Sequence, residues 1–304
     1  MKPLIIPVPF AVSQYGQSAT NTYKRILNNT SASPVMEKFN PSALLLNNCQ
    51  LLEPIKFDKF IDKQNTMTPF LESAVDMQQN LAKAIQNNLN PKSKTLVLGG
   101  DHTISVGTGL GISRLLDMNK VGLIYVDAHG DCNTPDSSQS KCLTGYPVAV
   151  NFGLGHKELV EPFNQNYLHK VAYIGVRDID EGEEKILHHI SAKIFSNIDV
   201  ELQGITQVLY STMDYLSDCN YIWLSIDVDS LDSVYLQTGE TDVPSSGGLT
   251  PREILAITKF VSDSKKHFLT EITQLNDLEV NTDMTRLFSR VAELSVNLGG
   301  FRYS

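Results

Sequence analysis

Residues 121–136 read VGLIYVDAHGDCNTPD. An unbroken apolar run ends abruptly in Asp127, His129 and Asp131. Such a run, bounded by polar residues and too short for a helix, reads as a buried strand. Two carboxylates and an imidazole at alternate positions, where that strand meets the surface, have two readings. One is a capped strand followed by a polar turn; the other is a metal site.

Outward from this stretch, short apolar runs alternate with helical patterns, the signature of a mostly parallel sheet wrapped by helices. Strands are predicted at Leu4–Val8, Thr95–Leu98, Gly122–Val126, Val171–Gly175, Tyr221–Ile226 and His267–Ile272. A helix is predicted over Pro69–Asn88, with Thr68 as its cap and Pro69 in its first turn. Further helices are expected at Ile104–Asp117, Glu181–His189, Val200–Ser217, Pro251–Ser264 and Asp283–Leu298. The Thr250–Glu253 start combines a capping threonine, a first-turn proline and a capping-box glutamate. Asn28–Asn65 is polar and irregular, but no stretch resembles an interdomain linker and there is no internal repeat. The pattern predicts one α/β domain over residues 1–304. In such sheets ligands gather outside the carboxyl ends of the strands.

The composition narrows the partners. Hydrophobic residues at 41% support a sizeable core, and 19% charged residues are too few for a disordered chain or a coiled coil. A net charge of -9 without a basic run argues against nucleic acid, because phosphate contacts need clustered Lys and Arg. Cys49, Cys132, Cys142 and Cys219 form neither a CxxC pair nor a disulfide framework, which predicts reduced thiols and a cytoplasmic protein. The opening MKPLIIPVPF is broken by three prolines and reads as a first strand rather than a signal peptide. No run approaches the roughly 20 apolar residues of a membrane helix, so no membrane partner is expected.

Three predicted strand ends carry chemistry. Thr95–Leu98 runs into Gly99-Gly100-Asp101-His102, and Gly122–Val126 into Asp127-Ala128-His129-Gly130-Asp131. Tyr221–Ile226 runs into Asp227-Val228-Asp229. Side chains two apart on an extended chain point the same way, so each motif presents its polar groups to one face. Four carboxylates converging on one rim must be neutralised if they are buried. A pair of divalent cations does so most simply, and oxygen ligands with some imidazole suit Mn²⁺. Two metals about 3.5–4 Å apart can bridge a water and lower its pKa toward roughly 7. Taken together the motifs favour the metal site over three independent caps. The Gly107–Gly111 run has the wrong spacing for a dinucleotide loop, and no G-x-S-x-G elbow offers a serine nucleophile.

GGDHT, DAHGD and SIDVDSLD together resemble the arginase–agmatinase (ureohydrolase) family, from about Leu96 to the last helix. The resemblance implies a three-layer α/β/α fold around a central, mostly parallel sheet, and Mn²⁺-dependent hydrolysis of guanidino or amidino C–N bonds. Matched motif to motif, it implies that His102, Asp127, His129, Asp131, Asp227 and Asp229 bind two Mn²⁺ per subunit. Within the family the DAHGDCNTP stretch is most similar to arginases. That likeness implies that Asn133 and Ser140 hold a substrate α-carboxylate, and that Asp180 and Glu183 hold the α-amino group. A metal-bridging hydroxide would attack the guanidino carbon, with Asp131 accepting its proton and relaying it to the leaving amine. A trimer or hexamer is implied by the resemblance alone.

Two departures bear on the substrate. Where arginases place a proton-shuttling histidine, this chain has Thr144, whose hydroxyl cannot act as an acid near neutral pH. Counting on without a gap from Gly247, the family glutamate that grips the guanidinium falls on Gln274, and a neutral amide loses that charge-assisted pairing. A rival register with an insertion restores the acid as Glu279, and Glu271 offers another negative charge nearby. The expectation is arginase-like hydrolysis of L-arginine to L-ornithine and urea. The alternatives are another ureohydrolase (an agmatinase, guanidino-acid hydrolase or formiminoglutamase) and a metal-binding relative with little turnover.

Overall fold

Successive strand residues face opposite sides of a sheet, and here both sides are apolar. Val121, Leu123 and Tyr125 pack into one core, Ile124 and Val126 into the other. Trp223 set against Ile222, Leu224 and Ile226 repeats the division. A sheet buried on both faces needs helices on both, which the crossover connections of parallel strands supply. The computed structural model describes residues 1–11, 22–27, 41–57, 70–235, 246–274 and 282–298, and the structural statements below concern these.

The strands are β1 (Leu4–Val8), β2 (Gln50–Leu51), β3 (Thr95–Gly99), β4 (Val121–Val126), β5 (Val171–Val176), β6 (Lys193–Ser196), β7 (Tyr221–Asp227) and β8 (His267–Thr273). They form one sheet in the order β2-β1-β3-β8-β7-β4-β5-β6, parallel at every pairing. On one face lie α3 (Leu71–Asn88), α4 (Ser105–Ser113), α5 (Pro147–Asn151), α6 (Lys157–Val160) and α7 (Glu181–His189). On the other lie α1 (Thr22–Leu27), α2 (Pro41–Asn48), α8 (Asn197–Gln203), α9 (Ile205–Tyr215), α10 (Pro251–Asp263) and α11 (Thr282–Ser295). The expected three-layer α/β/α architecture is what the chain adopts.

The six expected strands are all present. β2 and β6 escaped the sequence pattern because they are short edge strands without an apolar run. The expected helix Val200–Ser217 is interrupted at Gly204, whose φ of 77° separates α8 from α9. The expected Ile104–Asp117 helix is a 3₁₀ turn, His102–Ile104, followed by α4, which stops at Ser113. Helix α3 starts at Leu71 behind a left-handed Phe70, so Pro69 is not its first residue; Thr68 and Pro69 lie outside the described residues. The segment expected to be irregular contains α2 and β2. The capping box at Thr250 and Glu253 is formed as expected.

Consecutive strands β3 and β4 are separated in the sheet by β8 and β7. The carboxyl ends of these four neighbours therefore face one rim, reached by loops that leave in different directions.

At the other end of β8, His267 is buried, with Nδ1 3.1 Å from Lys94 Nζ and Nε2 2.9 Å from Thr270 Oγ1. Burial, then the Lys94 charge, pushes its pKa from the ordinary 6.5 down to about 3. The unfolded chain takes a proton in this window and the folded chain does not. This contribution to stability is therefore present above pH 6.5 and lost as the pH falls toward 3. Urea unfolding across that window should show the wild type losing stability more steeply than His267→Gln, by about 1.4 kcal/mol per pH unit.

Candidate metal centre

The rim is built by tight local turns. Gly99 and Gly100 carry β3 past the amino-terminal segment; a Cβ at Gly100 would lie 1.8 Å from the Phe10 carbonyl oxygen. Asp101 then caps the 3₁₀ turn, accepting the Thr103 N–H at 3.0 Å, and this turn carries the buried His102. The ends of β4 and β7 use one device twice. Asp127 Oδ1 accepts the His129 N–H and Asp227 Oδ1 the Asp229 N–H, both at 2.8 Å. The second oxygen of each aspartate is left to point inward. Arg177, just past β5, donates to the carbonyls of Asp229 at 2.9 Å and Leu231 at 3.1 Å, fixing the loop after β7.

His102 Nδ1 lies 2.9 Å from Asp127 Oδ2, 3.2 Å from Asp131 Oδ2 and 2.9 Å from Asp227 Oδ2. His129 Nδ1 lies 3.2 Å from Asp229 Oδ2 and 3.5 Å from Asp127 Oδ1. The ligand atoms fall into two groups, His102-Asp127-Asp131 and Asp127-His129-Asp229, each within 4.8 Å, and Asp127 belongs to both. Asp227 stands beside the first group, its Oδ2 also accepting the Thr273 hydroxyl at 3.1 Å.

The donor set fits divalent cations on two counts. First, one imidazole N–H cannot serve three carboxylate oxygens, and neither His102 Nδ1 nor Asp127 Oδ2, both buried, makes a hydrogen bond of normal geometry. Second, the opposite side of His102 is already committed. Ser225 Oγ gives its single proton to Glu271 Oε1 at 3.0 Å, so at 2.9 Å it accepts from His102 Nε2. Nδ1 of the neutral ring then carries a lone pair facing three anionic oxygens, an arrangement that calls for a cation between them.

The ionisation behaviour agrees. Burial opposes charge on both histidines, yet the aspartates around His102 hold its pKa well above the ordinary value. Asp229 and Asp127 push His129 up to about 12. Burial and then the Asp229 charge raise Asp227 well above the carboxylate range, and burial and Asp127 raise Asp131. The cluster draws positive charge in whatever form it can.

The remaining expected site residues spread outward from this cluster. Asn133 Nδ2 donates to Asp180 Oδ2 at 2.8 Å, and Ser137 supports Asn133 Oδ1 at 2.7 Å. Ser140 is exposed, its hydroxyl accepting Cys142 N–H at 3.2 Å. Glu183 is buried and forms a capping box with Asp180 at the start of α7. Its two oxygens accept the Cys132 and Asp180 N–H groups at 3.1 and 3.2 Å, and burial, then Asp131, lifts its pKa to about 7. Glu183 thus ties α7 to the Asp131 loop, a job its expected role left out. Thr144 Oγ1 sits 3.1 Å from Cys142 Sγ in the turn Leu143–Gly145. Gln274 follows β8 in a left-handed conformation (φ 55°), its N–H on the Gly100 carbonyl at 2.6 Å and its buried Oε1 without a hydrogen-bond partner among the described residues. Glu279 lies outside the described residues.

Glu271 corrects an expectation. It does not offer charge to a substrate: fully buried, its carboxylate accepts the hydroxyls of Ser105, Thr108 and Ser225 behind His102. Tyr125 and Ser225 were missed. Each stands two residues before an inward-facing aspartate, so the period-two rule that found Asp127 and Asp227 was the signal available for them.

This fold and rim define an α/β protein with a two-part metal-binding centre. A sequence model of the Arginase family matches residues 4–293. The chain is 34% identical over 250 residues to the arginase of Staphylococcus aureus (strain MRSA252), covering 81% of this chain and 79% of that one. An Entamoeba histolytica arginase structure, in complex with L-ornithine, superposes with a TM-score of 0.83 at 25% identity, covering 96% of this chain and 98% of that one. The Bacillus subtilis arginase structure gives 0.82 at 27% identity, with 99% of each chain covered. The chain belongs to the Arginase family. It is an arginase-like ureohydrolase, acting on amidine C–N bonds. Among the described residues, no helix is long and apolar enough to cross a membrane.

Cations that bind only the folded rim must stabilise the fold by mass action. Metal-free protein should gain about 2.7 kcal/mol against urea when a free divalent cation that binds the rim reaches 100 times its dissociation constant. Asp127→Asn, which alters the residue common to both groups, should lose most of that gain in the same titration.

Proposed function

We propose that this chain hydrolyses L-arginine to L-ornithine and urea, with two Mn²⁺ ions held by His102, Asp127, His129, Asp131, Asp227 and Asp229. The observation that carries this reading is the pair of ligand groups sharing Asp127 at the rim of the sheet. The ions, when bound, supply Lewis acidity and a water acidified toward neutral pH.

The chain's own residues do the rest. Asp131 accepts the proton of the attacking water and hands it to the departing amine. Asn133 and Asp180, already joined at 2.8 Å, present an amide and a carboxylate to the zwitterionic end of the substrate. Ser140 lies on the exposed side for the α-carboxylate, and Glu183 reinforces the negative charge facing the α-amino group. Thr144 supplies a hydroxyl but no acid, so the last proton transfer falls to Asp131 and solvent. Gln274 meets the guanidino end with its unpartnered carbonyl oxygen. The L-ornithine complex of the Entamoeba arginase supports an amino-acid product.

One observation favours a second reading within the same chemistry. Gln274 carries no charge, and a guanidinium gains less from an amide than from a carboxylate. Agmatine and guanidinobutyrate carry the same guanidinium as arginine, so among the related linear amidines the amide favours one without it, such as formiminoglutamate. The proposal includes a single domain over residues 1–304, a cytoplasmic location supported by four free cysteines, and a homo-oligomer, trimer or hexamer, supported by the family alone.

Product release by Mn²⁺-loaded protein from a panel of these compounds tests the choice. Urea from arginine in preference to the others is the expected result. Release from another member of the panel selects the second reading, and silence across the panel with two ions bound overturns hydrolysis. On the arginine reading, Gln274→Glu should raise kcat/KM for arginine about 10- to 100-fold, the value of adding charge to one hydrogen bond.

A further inference from the structure

Asp131 occupies an unusual place in the backbone. Its φ is 45°, in the left-handed region that a residue with a Cβ keeps only when its surroundings hold it there. Two buried tyrosines from neighbouring strands hydrogen-bond to this turn. Tyr173, on β5, donates its hydroxyl to the Gly130 carbonyl at 2.7 Å. Tyr125, on β4, donates to Asp131 Oδ2 at 2.8 Å. The two rings meet edge to face at 5.3 Å, and Tyr125 also stacks on the His102 imidazole at 4.4 Å with 10° between planes. Both side chains are fully buried.

We propose that Tyr125 and Tyr173 are a pair of positioning residues that hold the Gly130–Asp131 turn, and that Tyr125 in particular sets the Asp131 carboxylate and the His102 ring in register. Asp131 Oδ2 is the oxygen that faces His102 Nδ1, at 3.2 Å. The phenol takes one lone pair of that oxygen and fixes the rotation of the carboxylate, which leaves the other lone pair directed into the ligand group. Stacking fixes the neighbouring imidazole from the same ring. One side chain thereby aligns two members of the His102-Asp127-Asp131 group.

The inference rests on Asp131 being a metal ligand, so its test reads metal binding apart from turnover. MnCl₂ is titrated into metal-free protein and free Mn²⁺ is followed by its six-line electron paramagnetic resonance signal. Tyr125→Phe keeps the stacked ring and removes only the hydroxyl. It should weaken one of two Mn²⁺ sites roughly 10- to 100-fold, the usual cost of losing a partner behind a metal ligand. It should lower kcat more than it changes KM, while cooperative unfolding and the far-ultraviolet circular dichroism of the metal-free protein are retained. Tyr173→Phe should act in the same direction through the turn. In an Asp131→Asn background the Tyr125→Phe effect on Mn²⁺ affinity should vanish, because the two act as one unit. Wild-type protein that binds no Mn²⁺ sinks the proposed function. Wild-type protein that binds two ions, with Tyr125→Phe binding both as tightly, overturns this inference alone.

Discussion

Asp127, Asp131, Asp227 and Asp229 are all buried, and their carboxylates crowd two imidazoles at one end of a parallel sheet. Negative charge at that density, withdrawn from water, is unstable unless positive charge joins it. Much of the surrounding architecture answers this one requirement. The Oδ2 atoms of Asp127 and Asp227 turn toward His102, and their Oδ1 atoms satisfy local N–H groups. Behind His102, the buried Glu271 is stabilised by three hydroxyl donors, and through Ser225 it fixes which imidazole nitrogen faces the cluster.

The sheet makes the concentration possible. Strands that run parallel deliver all their carboxyl ends to one rim, and crossovers that place β8 and β7 between β3 and β4 bring distant motifs side by side. A charged group at the end of a strand is anchored by a buried ladder on both faces, so its position is set by the best-packed part of the molecule. Loops then adapt the outer part of the site. The Asn133–Asp180 pair and the Glu183 capping box belong to this outer layer, and they link the loop after β4 to the first turn of α7.

On the proposed reading, chemistry and selectivity fall to different residues. The six proposed ligands gather at the rim, while Thr144 and Gln274, the two expected departures from arginases, lie on the turn Leu143–Gly145 and just past β8. Exchanging a charged group for a neutral one there alters which amidine is held. The shape of Gln274 is informative in this respect. A buried amide oxygen without a partner is costly unless something donates to it.

The amino-acid sequence by itself determined the central strands and singled out the six His and Asp residues that the fold gathers at one rim. Apolar runs buried on both faces are written as continuous letters, and carboxylates spaced by two share a face. It also determined the capping box at Thr250, because that device is local. The tertiary structure alone decided what stands behind the cluster and how the outer site is wired. Ser225, Glu271 and Tyr125 lie within strands whose neighbours are set by sheet order, so their partners at His102 and Asp131 are far away in sequence or hidden by the apolar pattern. Glu271 looked like a charge for the substrate because sequence shows that a residue is near a strand end, but not which face it turns to once β7 and α4 pack around it. Short edge strands escaped for a related reason: β2 and β6 are defined by a neighbour's hydrogen bonds rather than by their own side chains.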